Sequence, residues 1–255
     1  CIGDGFVTNP SDLENLLNEA ALLAARRNQK AISMSEIDEA TLKVIVGTEK
    51  KSHKISDDER KLTAFHEAGH ATTSWLLEFA HPLVKVTIVP RGKALGAAWY
   101  LPNERQITTK EQMYHEMIAT LGGRAAEQLI FGHISTGALS DLEKVTKQAT
   151  AMVAYYGLDE RIGNRSYYDS TGQQDYSLTK PFSDKTAEII DEQVSKLIES
   201  AYQEALRILG DNLDGLTQLA NKLIDKEVVF GDDLEMIFGK RPWVKEEIDF
   251  PKESQ

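Results

Sequence analysis

His66 and His70 stand four residues apart in the stretch TAFHEAGHATTS, residues 63–74, and Glu67 directly follows the first histidine. In a helix, positions i and i+4 lie on the same face one turn apart, so both imidazoles can reach a single metal ion. Zinc binds neutral imidazole readily, and catalytic zinc sites leave one position open for water. Glu67 is placed to take a proton from that water, which is the arrangement of the zinc peptidases.

The residues around the two histidines favour a buried helix. Ala64, Phe65, Ala68 and Ala71 are all uncharged, as a metal-binding helix in the interior requires. Gly69 costs about 1 kcal/mol of helix propensity relative to alanine. This cost indicates that another backbone or a substrate approaches the helix closely at that point. A chance occurrence of the two-histidine pattern in a chain of this composition is roughly a one-per-cent event.

A catalytic zinc needs a third protein ligand, and the residues alone leave its identity open. Glu127 in LGGRAAEQLIFG, residues 121–132, is one candidate, and Asp141 after the segment ISTGALS is another. An isolated histidine on a loop or helix face is more often solvated or structural than a ligand. Three further histidines could in principle bind the metal: His81, His115 and His133.

The composition limits the class of protein. With 41% hydrophobic and 27% charged residues, the 255-residue chain is typical of a soluble globular protein. A net charge of -11 without a dense basic run argues against a nucleic-acid partner. Cys1 is the only cysteine, so a disulfide within one chain and a thiolate metal site are excluded. The chain contains no apolar run long enough to cross a bilayer, and we expect it to be soluble by itself.

Apolar spacing predicts a mainly α fold with one small β-hairpin. Alternating and β-branched residues predict strands at 83–90 and 97–102, whereas polar, glycine-containing stretches predict loops at 132–140 and 157–183. Thr109 and Gln112 form a plausible capping box for the fourth helix. The predicted helices cover residues 10–28, 34–46, 57–80, 110–131, from Asp141 onward, 184–209 with Gly210 as the stop, 212–225 and 231–238.

Several segments, in their order along the chain, resemble FtsH-type proteases, the membrane-anchored AAA+ zinc metalloproteases of bacteria, mitochondria and chloroplasts. The peptidase domain of that family is similar to TAFHEAGHA, VTIVPRGKALG, ATLGGRAAEQLIFG and ISTGALSDLEKVTKQA. NEAALLAARRN, residues 18–28, resembles the end of the AAA+ helical lid. KPFSDKTAEIIDEQV and IFGKRPW are similar to the bacterial and mitochondrial matrix-facing branches. The resemblance extends over nearly all residues from Ser11 to Trp243.

The resemblance implies a division of the chain into a lid remnant and a peptidase domain. Residues 1–48 would contain the C-terminal helices of a truncated AAA+ lid, with residues 1–8 foreign to the family pattern. Residues 49–60 would form a linker, residues 61–243 the zinc peptidase domain, and residues 244–255 a mobile tail. The sequence contains no G-x-x-x-x-G-K-S/T loop, so ATP and Mg²⁺ are expected only in an ATPase part outside this chain.

The resemblance also implies roles for individual residues. His66, His70 and Asp141 would bind one Zn²⁺ per chain, because the family's ligand aspartate follows the segment that starts here at Thr136. Glu67 would be the catalytic base. Glu127 would orient a ligand through a hydrogen bond. The runner-up assignment exchanges the roles of the last two carboxylates, making Glu127 the third ligand.

The resemblance further suggests that the residues after the glycine turn bind substrate. In the family, an extended substrate adds to this edge strand by backbone pairing. The hairpin could equally serve only to cover the helical core, and both roles are compatible. The strand residues concerned are Leu95, Gly96, Ala97, Ala98, Trp99 and Tyr100.

The expected function is that of a zinc-dependent endopeptidase that cuts unfolded or threaded proteins. The resemblance implies a homohexameric ring and a parent protein in an inner membrane, with this domain on the cytoplasmic or matrix side and a role in protein quality control. One alternative is a catalytically silent ring-forming and substrate-docking module, in which the helix at 184–209 serves ring contacts. Another is a structural zinc, but such sites usually have four protein ligands, often cysteines.

Overall fold

The computed structural model describes residues 10–46, 56–90, 95–100, 107–168, 181–241 and 243. The expected foreign residues 1–8 and the expected tail 244–255 lie outside the described residues, as does most of the expected linker. The predicted mainly α fold with a small sheet is confirmed. Its α-helices are α1 (Pro10–Arg26), α2 (Met34–Val46), α3 (Asp57–Leu76), α4 (Lys110–Phe131), α5 (Leu139–Thr150), α6 (Asp184–Asp211), α7 (Leu213–Lys226) and α8 (Gly231–Phe238).

Helices α1 and α2 pack against each other as a small hairpin. Their contact buries short apolar side chains, among them Ala20 and Ala40. In the first turn of α2, Glu36 is buried and accepts hydrogen bonds from two groups of the connection and the end of α1, the backbone N–H of Ser33 at 3.1 Å and the guanidinium of Arg27 at 2.8 Å. The buried carboxylate is therefore paired with a charge and a backbone donor, as burial requires.

Helix α3 packs against both α4 and α7. It begins with a capping box in which Ser56 accepts from the N–H of Glu59 and the Glu59 side chain accepts from the N–H of Ser56. Helix α4, which begins with the predicted box of Thr109 and Gln112, also packs on α6. The large side chains that these helices bury completely include Met117, Ile118, Leu121, Leu209, Leu216, Leu219 and Leu223.

Helices α3 and α4 cross with almost no side chain between them. A Cβ at Gly69 would lie 2.3 Å from the carbonyl oxygen of Gly122, and one at Gly122 would lie 2.4 Å from Oγ1 of Thr73. Real Cβ atoms do not approach other atoms so closely. The predicted close approach at Gly69 is thus confirmed, and the group that approaches is the backbone of α4.

The sheet contains strands β1 (Leu83–Thr87), β2 (Ala97–Tyr100) and β3 (Val228–Phe230) in the order β2-β1-β3, and both pairings are antiparallel. Val86 in the middle strand lies opposite Ala98 on one side and Val229 on the other. The predicted hairpin of β1 and β2 is confirmed. Strand β3 was not predicted, because three residues directly before a helix are too few to show an alternating pattern.

Several predicted boundaries are wrong. Helix α3 ends at Leu76 rather than at Ala80, and the guanidinium of Arg241 binds the carbonyls of Leu77 and Ala80 in the segment that follows the helix. Gly210 does not stop α6, which continues to Asp211. The first predicted strand is also shorter and ends at Thr87, whereas residues 101–102 of the second predicted strand lie outside the described residues.

The predicted loop at 132–140 contains a 3₁₀ turn at Thr136–Ala138, and α5 already begins at Leu139. A π-helical turn at Ala151–Tyr155, which was not predicted, extends α5. Across the part of the chain that the structure describes, none of the helices combines the length and apolar character needed to span a lipid bilayer.

We expect Gly69→Ala to destabilise the chain by about 1–3 kcal/mol, because its methyl group would force α3 and α4 apart. The matched control is Gly210→Ala in α6, where a Cβ would meet nothing within 4 Å. This control should be stabilising by about 0.5–1 kcal/mol, since alanine favours the helix over glycine. Urea unfolding of both variants measures the difference. Equal effects of the two substitutions would show that the helix crossing is not tightly packed.

Candidate metal centre

Three ligand atoms from two helices meet in the interior. One face of α3 carries His66 and His70, and the first turn of α5 carries Asp141. The Nε2 atoms of the two imidazoles are 3.1 Å apart. Oδ2 of Asp141 lies 3.3 Å from Nε2 of His66 and 3.4 Å from Nε2 of His70. All three residues are buried.

This triangle fits a tetrahedral zinc ion. Ligand atoms at about 2.0–2.1 Å from zinc stand about 3.3–3.4 Å from one another at tetrahedral angles. The observed separations of 3.1, 3.3 and 3.4 Å lie close to that spacing. Oδ1 of Asp141 is buried and has no hydrogen-bond partner among the described residues. A cation at the centre of the triangle would compensate this charge, and the fourth corner would be open to water.

The other ring nitrogen of each histidine is held by a hydrogen bond. Nδ1 of His70 donates to the carbonyl oxygen of Ala119 at 3.0 Å, which fixes its tautomer because a carbonyl can only accept. Nδ1 of His66 lies 2.7 Å from Oε1 of Glu127. Both contacts direct the Nε2 lone pairs toward the triangle, as is usual for histidines that bind a metal.

Glu127 is fully buried but stands outside the triangle, on the far side of the His66 ring. Its Oε2 accepts a hydrogen bond from the backbone N–H of Ser135 at 2.6 Å, and its Oε1 accepts one from the Ser135 hydroxyl at 3.1 Å. The hydroxyl oxygen of Ser135 in turn accepts from the N–H of Gly137 at 3.1 Å. Glu127 therefore connects His66 with the turn that precedes Asp141.

Glu67 is buried beside the triangle, and its Oε2 has no hydrogen-bond partner within the described part of the chain. The residue before strand β2 packs directly on its carboxylate, since a Cβ at Gly96 would lie 2.7 Å from Oε1 of Glu67. The structure thus brings the start of the predicted substrate strand next to the predicted base. An unpaired buried carboxylate oxygen beside an open ligand position is well placed to accept a proton from water.

Among the described strands, β2 lies at the edge of the sheet, with β1 on one side and none of them on the other. Ala97 and Ala98 are buried, and Leu95 before the strand is exposed. Tyr100 is half-buried, and the burial of its hydroxyl raises the pKa of the phenol. The side chain of Trp99 is outside the described part of the structure.

The remaining described histidines lie elsewhere. His81 lies 3.3 Å from Oε1 of Glu116, and Nδ1 of His115 accepts the N–H of Phe79 at 3.3 Å. His133 stacks on the ring of Phe131. These contacts place all three outside the triangle, in agreement with the expectation that isolated histidines are structural or solvated.

Two buried carboxylates control the charge of His66. Burial lowers the pKa of His66, but its hydrogen bonds to Asp141 and Glu127 outweigh burial and raise the pKa to about 9. Burial raises the pKa of Asp141, yet the charges and hydrogen bonds of both imidazoles bring it far below its usual range. For Glu127, the contacts with His66 and Ser135 likewise outweigh burial and lower the pKa.

Sequence reasoning missed two contributors to this site. A Cβ at Gly123 would lie 2.6 Å from Nε2 of both His66 and His70, so only glycine leaves the ligand position free. The paired glycines of LGGRAAE were the available signal. Ser135 was also missed, because it acts through a residue eight positions earlier and its own type is common in loops.

Comparison with known proteins gives matches over both parts of the chain. The profile of peptidase family M41 matches residues 53–237, and that of the AAA+ lid domain matches residues 9–39. An ATP-dependent zinc metalloprotease FtsH of Parabacteroides distasonis is 57% identical over 234 residues, which cover 92% of this chain and 34% of that protein.

More distant relatives are mitochondrial. The ATP-dependent zinc metalloprotease FTSH 10 of Arabidopsis thaliana is 46% identical over 91% of this chain and 28% of its own length. The mitochondrial inner membrane m-AAA protease component AFG3L2 of Mus musculus is 43% identical over 92% of this chain and 29% of its own length. The chain therefore spans about a third of the length of the curated relatives it matches.

We expect the metal-free chain to lose stability as pH rises through about 9. The pKa of His66 is raised from its ordinary value of 6.5, so its contribution is fully present below pH 6.5 and disappears as the folded form deprotonates near pH 9. The loss should reach at most about 3 kcal/mol. Urea unfolding at pH 6.5–9.5 in the presence of a chelator measures it. In the Asp141→Asn variant, the free energy of unfolding should depend less on pH. An unchanged pH dependence in that variant would contradict the assignment of the effect to His66.

Proposed function

Because the chain belongs to peptidase family M41, and is therefore a metalloendopeptidase that uses zinc, we propose that His66, His70 and Asp141 bind the ion and that Glu67 is the general base. The observation that carries this proposal is the triangle of ligand atoms, 3.1–3.4 Å on each side. Next to it on α3 is the buried carboxylate of Glu67, whose Oε2 has no hydrogen-bond partner among the described residues. Both metal-binding histidines and the base come from one turn of α3.

The proposed reaction is hydrolysis of a peptide bond. A zinc ion bound by these residues supplies a Lewis acid that polarises the scissile carbonyl and increases the acidity of water. Glu67 takes a proton from the attacking water and transfers it to the nitrogen of the leaving amine. The water oxygen forms a bond to the carbonyl carbon as the C–N bond breaks, so one water is consumed and no covalent enzyme intermediate forms.

Glu127 and the carbonyl of Ala119 are proposed to orient the two imidazoles. Both contacts lie on the Nδ1 side of the rings, where they can hold each Nε2 atom toward the ion without occupying its coordination sphere. Both oxygens of Glu127 already accept hydrogen bonds, which favours Asp141 over Glu127 as the third ligand.

An extended substrate is proposed to pair with the free edge of β2. Backbone pairing selects for unfolded chains more than for a particular sequence, because every peptide offers the same N–H and C=O groups. The contact between Gly96 and Glu67 places the beginning of this edge beside the base. A peptide along Leu95–Tyr100 would therefore pass the metal centre.

The parent protein is proposed to be an ATP-dependent, membrane-anchored protease for protein quality control. The words ATP-dependent in the name of one relative and inner membrane in the name of another support the first two properties. The AAA+ lid match at residues 9–39 supports a lid remnant in residues 1–48, and the M41 match at residues 53–237 supports a peptidase domain within residues 61–243. We further propose a homohexamer with this domain on the cytoplasmic or matrix side, unfolded proteins as substrates and no nucleic-acid partner. ATP and Mg²⁺ would bind outside this chain.

Glu67→Gln should keep zinc binding and reduce kcat for an unfolded peptide by about 10²–10⁴-fold, because the amide cannot take the proton from water. Zinc content by elemental analysis and peptide cleavage by a fluorescence assay test the two parts separately. A matched control is Glu143→Gln, an exposed residue of α5 that pairs with Lys147. If the unaltered zinc-bound chain cleaves no peptide, the silent docking module is favoured instead.

Asp141→Ala should remove most of the zinc affinity, whereas Glu127→Gln should weaken it by about 10–100-fold, as is typical for residues that orient a ligand. Both variants are dialysed against trace zinc, and the zinc per chain is then measured. If Asp141→Ala keeps its full zinc content and Glu127→Gln loses zinc, then Glu127 is the third ligand and the two assigned roles are exchanged.

A further inference from the structure

The side chain of Arg241 reaches back across the fold to the end of the metal-binding helix. Its Nη2 atom lies 2.9 Å from the carbonyl oxygen of Leu77 and 3.4 Å from that of Ser74, and it also binds the carbonyl of Ala80. Its Nε is buried without a hydrogen-bond partner in the described residues. Arg241 lies after residue 237, where the family match ends.

Among the described residues, the guanidinium of Arg241 has no carboxylate within ion-pair distance, and its hydrogen bonds go to backbone carbonyls at and directly after the end of α3. A cation at a helix C-terminus interacts favourably with the carbonyls that the last turn leaves unpaired. Arg241 thereby stabilises the position at which α3 stops.

The carbonyls that Arg241 binds belong to the last turn of α3 and to the segment that connects α3 with strand β1. Ala80 precedes β1 by only two residues, and β1 pairs with the edge strand β2. Nε1 of Trp75 donates to the carbonyl of Gly239 at 3.2 Å, which is a second attachment of the same C-terminal segment. The segment Gly239–Arg241 thus joins the end of α3 to the start of the sheet.

A cavity of about 480 Å³ adjoins this junction. Ser74 and Ala80, two of the residues whose carbonyls Arg241 binds, line it together with Tyr100 of β2. Ala119 also lines the cavity, and its carbonyl holds the imidazole of His70. The cavity therefore shares walls with the metal centre, the edge strand and the junction that Arg241 fixes.

We propose that Arg241 is a positioning residue for substrate binding: it holds the junction after α3 so that β2 and the cavity wall stand in register with the metal centre. The proposal rests on the proposed peptidase function of the triangle and of β2. Arg241 does not contact the metal ligands, whose positions depend on α3, α4 and α5. Its loss should therefore change the binding of peptide and leave the binding of zinc unchanged.

The test compares Arg241→Ala and Arg241→Lys with Lys240→Ala, a control that removes an exposed neighbouring cation. In the zinc-bound chain, Arg241→Ala should raise KM for an unfolded peptide about tenfold, the size expected for lost hydrogen bonds to a charged group. The kcat value and the zinc Kd should stay within about twofold. Arg241→Lys should be intermediate, since one ammonium can bind only part of the carbonyl set. A KM equal to that of Lys240→Ala, or a parallel loss of zinc, would overturn the proposal.

Hydrogen exchange gives a second readout that does not depend on catalysis. The backbone amides of β1 that bond to its neighbouring strands should exchange about tenfold faster in Arg241→Ala than in Lys240→Ala, while amides in the middle of α4 stay unchanged. Unchanged protection in β1 would overturn the positioning role. If the unaltered chain cleaves no peptide but the β1 amides respond as expected, the proposed peptidase function fails and the positioning of the strand by Arg241 stands.

Discussion

The metal centre depends on the close crossing of α3 and α4. Three glycines on these helices lie where a side chain would collide: Gly69 and Gly122 against the partner helix, and Gly123 against both Nε2 atoms. Because the two backbones touch, the carbonyl of Ala119 reaches one imidazole and the carboxylate of Glu127 reaches the other. A helix pair at the usual spacing of 8–10 Å, separated by larger side chains, would leave both rings without these contacts.

The same crossing makes the burial of charge acceptable. His66, Glu67, His70, Glu127 and Asp141 are all buried, and an isolated buried charge would be costly. The two imidazoles, Asp141 and Glu127 pair with one another, with the carbonyl of Ala119 in α4 and with Ser135. Among the described atoms of this group, Oδ1 of Asp141 and Oε2 of Glu67 are buried without a hydrogen-bond partner. Unpaired oxygens suit the roles proposed for these two carboxylates, namely binding a cation for Asp141 and accepting a proton for Glu67.

The C-terminal part of the chain contacts α3 near its start and directly after its end. Near its start, Arg60 donates to the carbonyl of Ile224 at 2.7 Å and lies 3.0 Å from Glu227, both close to the end of α7. At its end, Arg241 binds the carbonyls of the residues that leave the helix. The helix that carries two of the proposed ligands and the proposed base is thus in contact, near both ends, with residues more than 160 positions later in the chain.

The sequence by itself determined the features that depend only on contacts between residues a few positions apart. The spacing of His66 and His70 predicts two ligands on one helical face, and the box of Thr109 and Gln112 predicts the start of α4, because i+3 and i+4 contacts are local. Only the tertiary structure decided which carboxylate meets the two Nε2 atoms, since Glu127 and Asp141 are both compatible with the sequence pattern. It also decided that Arg241 binds the carbonyl of Leu77, directly after the end of α3, because Arg241 is remote in sequence and no local pattern records such a contact.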